Sequence, residues 1–305
     1  MWVVPAFLSA ALLGFYDVSK KSSLRDNAVV PVLFLNTLFC SLVFLPLIVL
    51  SGCGVISPSD SLYMAAPTWE AHRFIFLKAV IVLSSWVLGY FAMKHLPLTT
   101  VGPINATRPL ITLVGALLVF GERLNALQWG GVGLGMLSFW LMSRSGRREG
   151  IYFSHNRWIY LLVGAAFLGA ASGLYDKFLM ASPLAGGAGL GRMEVQGWYN
   201  LYQCAMMAVV AAVVARRQGE GEKFRWRWSI LLISVFLTAA DFLYFYALSC
   251  AGAMIAVVSM VRRGSVIVSF LCGALLLGER RNLRAKAFDL LLVMAGLVLL
   301  WLGSV

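Results

Sequence analysis

The stretch VVSMVRRGSVIVSFLCGALLLGER, residues 257–280, decides the fold. It is almost wholly apolar, yet Arg262 and Arg263 stand about a third of the way into it. A helix needs about 20 apolar residues to cross ~30 Å of hydrocarbon, and this run is long enough. Similar runs recur from end to end of the 305-residue chain, which is 60% hydrophobic and only 12% charged. A soluble domain carries about 25% charged residues, so half of the usual polar cover is missing. The composition therefore predicts a polytopic α-helical membrane protein. A β-barrel would show ~10-residue segments of alternating polarity, and the sequence has none.

Apolar runs between turn signals predict ten spans: 2–20, 28–51, 74–94, 98–121, 126–143, 158–180, 194–215, 228–250, 253–278 and 283–303. The first lacks the basic flank of a signal peptide and is expected to remain as a helix. Lysine and arginine in short loops orient such a chain. The odd-numbered loops hold 17 of them and the even-numbered loops 3, which predicts cytoplasmic odd loops and both termini outside.

The net charge of +12 is explained by that bias. No basic face or aromatic-studded groove marks a nucleic-acid partner. The five cysteines and three histidines form no metal-like spacing, so neither metal nor cofactor is expected. The run GGVGLG, 130–135, imitates a dinucleotide fingerprint but lies inside an apolar span. Gly131 and Gly135 read instead as a small-residue contact between helices.

The chain repeats itself. GFYD at 14–17 returns as GLYD at 173–176, Asn36 and Cys40 return as Asn200 and Cys204, and FGERLN at 120–125 returns as LGERRN at 277–282. Five spans make one unit, residues 1–145, followed by a connector, 146–155, and a second unit, 156–305. Five is odd, so the second unit enters the membrane inverted. Such repeats mark secondary transporters with a site near the midplane between the halves. On RPLITLVGALLVFGERLN (108–125) and RRGSVIVSFLCGALLLGERRN (262–282), the sequence resembles the EamA branch of the drug/metabolite transporter superfamily. The resemblance implies a ten-helix carrier of small metabolites. Relatives often have cytoplasmic termini, whereas the loop charges here predict the reverse.

A charge at the bilayer centre costs at least ~2.5 kcal/mol, so it is kept only inside the bundle, paired or wetted. Arg108 and Arg263 take equivalent places in the two units, followed by Pro109 and Gly264, both helix interrupters. Matching breaks in two halves point to a binding site. Arg108, Arg262 and Arg263 face one central acid, Asp241, so an excess of positive charge is expected there and invites an anionic guest. Asp241 is also the candidate for proton coupling. Tyr16, Trp86, Tyr90, Tyr175 and Tyr244 are candidate aromatic walls, although ordinary packing explains any single one of them. Asn36 and Asn200 offer hydrogen bonds. Asp17 with Lys20, and Asp176 with Lys177, are expected as charge pairs that either brace helices or serve the site. Glu122 and Glu279 are expected to cap or brace the helix that follows each of them.

These residues predict a secondary carrier of a small organic anion or zwitterion, such as an amino acid, carboxylate or phosphorylated metabolite. It would work by alternating access in a bacterial inner membrane. A phosphate-bearing lipid is the competing cargo. A membrane enzyme would need an acid–base pair, metal or nucleophile at catalytic spacing, and none is visible. A scaffold or sensor would not need charged breaks in both halves. Besides its cargo, the expected partner is membrane lipid, and one chain is enough to enclose a pathway.

Overall fold

The structure is a computed structural model. It describes residues 3–60, 62–108, 111, 125–147, 153, 155–180, 183–217, 223–249, 261–279 and 281–303. Ten α-helices carry the described chain: α1 Val3–Leu24, α2 Val29–Gly52, α3 Trp69–His95, α4 Leu98–Ala106, α5 Ala126–Arg147, α6 Arg157–Met180, α7 Arg192–Arg217, α8 Trp228–Ser249, α9 Ser265–Leu275 and α10 Leu283–Leu302. No strand occurs among the described residues. Eight of the predicted spans match these helices to within five residues at each end. Of spans 98–121 and 253–278, large parts lie outside the described residues, including Pro109; Glu122, just past the first of them, lies outside as well.

Among the described residues, five helices have both the length and the hydropathy to cross a membrane: Val29–Gly52, Trp69–His95, Arg157–Met180, Arg192–Arg216 and Leu283–Leu302. Phe7, Leu42, Phe167, Val209 and Leu291 point outward, while Lys20, Lys78, Lys286 and Asp289 are buried. Apolar outside and charged inside is the reverse of a water-soluble domain, and it suits lipid surroundings.

The helices pack in pairs: α1 along α8, α3 along α6, α2 on α7, α4 on α9 and α5 on α10. In the α5–α10 pair the backbones nearly touch. A Cβ on Gly131 would lie 2.7 Å from the carbonyl oxygen of Gly296, and one on Gly296 would lie 2.9 Å from that of Gly131. Glycine is required at both places because any side chain would hold the helices apart.

The loops rich in lysine and arginine gather at one end of the bundle. Lys21 donates to the carbonyls of Met93 (2.7 Å) and Leu96 (2.6 Å), so it neutralises the C-terminal end of α3. Asn27 donates to the Arg225 carbonyl (2.8 Å) and accepts from the Arg225 amide (2.9 Å). His95 stacks on Trp158 with ring centroids 3.5 Å apart. Loops one, three, five and seven are thereby tied together.

Candidate substrate chamber

A one-residue turn stands in each of the two segments, while Pro109 itself lies outside the described residues. Helix α4 ends at Ala106, and Thr107 forms a turn closed by its amide on the Ile104 carbonyl (3.1 Å), directly before Arg108. On the other side, Val261, Arg262 and Arg263 are helical, and Gly264 turns with its amide on the Val261 carbonyl (2.9 Å) before α9 begins. Each arginine therefore lies close to a one-residue turn in an otherwise helical stretch. Ser265 and Val266, the first residues of α9, line the same space. The positive end of that helix dipole faces it.

The space is a cavity of about 330 Å³ walled by α1, α3, α4, α8 and α9. Liquid water takes about 30 Å³ per molecule, so it has room for about eleven waters or a cargo of comparable size. Arg108, Arg262 and Arg263 line it together with Tyr16, Asp17, Lys20, Trp86, Tyr90 and Tyr244. Arg262 is paired with Asp241 and lies 4.3 Å from the Tyr244 ring centroid. Lys20 pairs with Asp17 at 3.4 Å and lies over the rings of Tyr16 and Tyr90, at 4.6 and 5.1 Å. The Arg108 guanidinium lies against Gly169 of α6, where a Cβ would come within 3.1 Å of Cζ. Arg263 differs from these: no carboxylate among the described residues pairs with it, and the groups that act on it are Arg108, Arg262 and the Tyr244 phenol.

Nine of the predicted site residues thus share one chamber, with Asp241 reaching it through Arg262. The others lie elsewhere. Asn36 is fully buried and accepts from Ser234 Oγ of α8 (3.1 Å). Asn200 donates to the Gln196 carbonyl (2.8 Å), and its own carbonyl accepts from Ser41 of α2 (2.9 Å). Tyr175 donates to the Phe74 carbonyl at 3.3 Å. Asp176 pairs with Lys78 of α3; the Lys177 side chain lies outside the described residues.

Four residues escaped notice in the sequence. Asn105 and Ser85 line the chamber; Asn105 stands one turn before Arg108, a usable signal. Lys286 and Asp289 are buried in α10, where Lys286 donates to Thr99 Oγ1 (3.0 Å). Their nearness to the end of a span disguised them as loop charges. Lys20 is disguised in the same way. Removing it and Lys286 from the odd loops leaves fifteen cations against three.

Glu279 corrects an expectation. Instead of capping the helix that follows, its carboxylate accepts from the amides of Leu98 and Thr99, both at 2.8 Å. It caps α4, whose own N-cap residue, Pro97, supplies no side-chain bond. Gly278, at φ +71°, makes the left-handed turn that aims Glu279 back across the bundle.

An all-α membrane bundle with a charged internal chamber is the build of a transporter. Residues 1–144, just under half of the chain, match the EamA-like transporter family, which is part of the drug/metabolite transporter superfamily. The match indicates a membrane transporter of that type, and members of the family are transporters rather than enzymes. No curated protein matches the chain. Twenty-three chains of solved structures match it. One, a crystal structure of a protein, superposes with a TM-score of 0.59 at 15% identity, covering 97% of this chain and 96% of that one. That likeness is one of fold.

Proposed function

We propose that the protein is a secondary carrier of small organic anions, or of zwitterionic metabolites held by an anionic group, working by alternating access between inverted halves, residues 1–145 and 156–305. The observation that carries the cargo class is Arg263. It is a permanent cation inside a membrane bundle, flanked by two further arginines and paired with no carboxylate among the described residues. A cation so placed is stabilised by an anion from outside the chain. The helix pairing supports the inverted repeat. Advancing every helix number by five turns α1–α8 into α6–α3, and leaves α2–α7, α4–α9 and α5–α10 unchanged. A pseudo-two-fold axis between two five-helix units produces such a list.

Carboxylates, amino acids and phosphorylated metabolites of modest size fit the chamber. Asp241 is the proposed proton-coupling group, because protonation would release Arg262 to the cargo. The proposed setting is the inner membrane of a bacterium, with one chain sufficient for transport.

Proteoliposome uptake of labelled succinate, inorganic phosphate and glutamate tests the cargo class. Wild-type protein should move at least one of them, and Arg263→Gln should abolish that flux while the protein stays folded. Flux unchanged by Arg263→Gln would return the arginine to a structural role. A flux indifferent to pH, or unaltered by Asp241→Asn, would remove proton coupling. A response to phospholipid alone would move the assignment to a lipid cargo.

A further inference from the structure

The chamber reaches towards the basic end of the bundle, with Lys20 and Met93 close to the C-terminal ends of α1 and α3. Towards the opposite end stands a second charged cluster that the chamber does not include. Lys78 of α3 is 6% exposed. Its ammonium pairs with Asp176 of α6, donates to Ser172 Oγ of the same helix (3.0 Å) and lies 5.7 Å from the ring centroid of Tyr199 on α7. Lys78 thus ties together three helices. Along α3 it stands seven residues before Ser85, a chamber-lining residue, or about 10 Å at 1.5 Å per residue.

The repeat gives this cluster its meaning. Aligning GFYD (14–17) with GLYD (173–176) places Leu13 opposite Ser172 and Asp17 opposite Asp176. Leu13 and Asp17 both line the chamber. Ser172 and Asp176 are both held by Lys78. The same two positions of one repeated segment are therefore open to the chamber in the first copy and fastened shut in the second.

We propose that Lys78 and Asp176 form the bolt that closes the far side of the carrier, and that Lys78 becomes a cargo-facing cation when that side opens. The proposal rests on alternating access between the two halves. In an inverted repeat the two halves exchange conformations, so Ser172 and Asp176 come to line the chamber as Leu13 and Asp17 do here. Opening must then separate Lys78 from Asp176. Lys78 is buried while Asp176 is partly exposed, so parting the pair is costly chiefly because it leaves the lysine charge bare. An anionic cargo removes that cost by taking the place of the Asp176 carboxylate on Lys78. Cargo thereby favours the open state through a contact that only this state allows.

Amide hydrogen exchange on the full chain in lipid nanodiscs tests the bolt without knowledge of the cargo. In Lys78→Met and in Asp176→Asn, exchange in residues 69–78 and 172–180 should rise by about tenfold, the scale for losing one partly buried ion pair. Exchange in residues 13–24 and 85–95 should fall in the same variants, because the near side closes as the far side opens. The charge-swapped double variant, Lys78→Asp with Asp176→Lys, should restore the wild-type pattern. A rise at the far end with no fall at the near end would reduce the pair to a static brace and overturn the proposal, as would unchanged exchange throughout. Succinate and inorganic phosphate flux by the wild type separates the two ideas. Reciprocal exchange without flux keeps the bolt and loses the cargo class; flux without reciprocal exchange loses the bolt alone.

Discussion

Glu279 shows how a single side chain far in sequence from α4 helps to set the geometry of the chamber. Helix α4 is nine residues long, begins after a proline and delivers Arg108 just past its C-terminal turn. Its first amides have no capping side chain from their own segment, so the carboxylate of Glu279 satisfies two of them. A charged acceptor at a helix N-terminus gains from the dipole as well as from the bonds. Removing it in Glu279→Ala should cost about 1–2 kcal/mol. Glu279→Gln keeps one acceptor and should cost less. Thermal unfolding in detergent orders the three proteins, and equal melting temperatures would deny Glu279 the capping role. The sequence showed that a glycine–glutamate follows the fourth span of each unit, because the motif recurs. It did not show the partner, because that bond joins residues about 180 positions apart. The same limit applies to Asp176: its nearest cation in sequence is Lys177, while the cation it pairs with in space is Lys78.

Among elements, the α5–α10 pair sets a strict steric demand, backbone against backbone. The run GGVGLG in α5 carries several glycines, yet they are not equivalent. A Cβ on Gly131 would press on the backbone of Gly296, which cannot move aside as a side chain can. A Cβ on Gly133 would meet nothing within 4 Å. Gly131→Ala should therefore destabilise the protein by about 1–3 kcal/mol through overpacking. Gly133→Ala should be neutral or slightly stabilising, since alanine is the better helix former. Melting temperatures of the two variants check this, and equal effects would remove the close crossing. Helix positions were legible because hydrocarbon demands long apolar runs, whose ends are marked by polar loops. The small-residue contact was legible as well, since an apolar span gives clustered glycines few other uses. Which glycine bears the contact depends on how the helices are rotated against each other, and spacing within one helix does not record that.

At the scale of the molecule, the orientation of the bundle determines what the observed conformation means for transport. The odd-numbered loops, which carry fifteen cations in the sequence, share one end, tied by Lys21, Asn27 and the His95–Trp158 stack. Cytoplasmic loops carry the excess of lysine and arginine, so that end should face the cytoplasm and both chain termini should lie outside. The chamber reaches towards the basic end while Lys78 and Asp176 hold the other, so the conformation would be the inward-facing one. A fluorescent protein that matures only in the cytoplasm, fused after Val305, should stay dark, and alkaline phosphatase at the same place should be active. The reverse result would invert the molecule. The bolt would then guard the cytoplasmic side, and the chamber would open outward. The charge arithmetic makes that outcome costly for the proposed topology. Fifteen cations would have to cross the bilayer during insertion, and only three would remain on the side where lysine and arginine are retained.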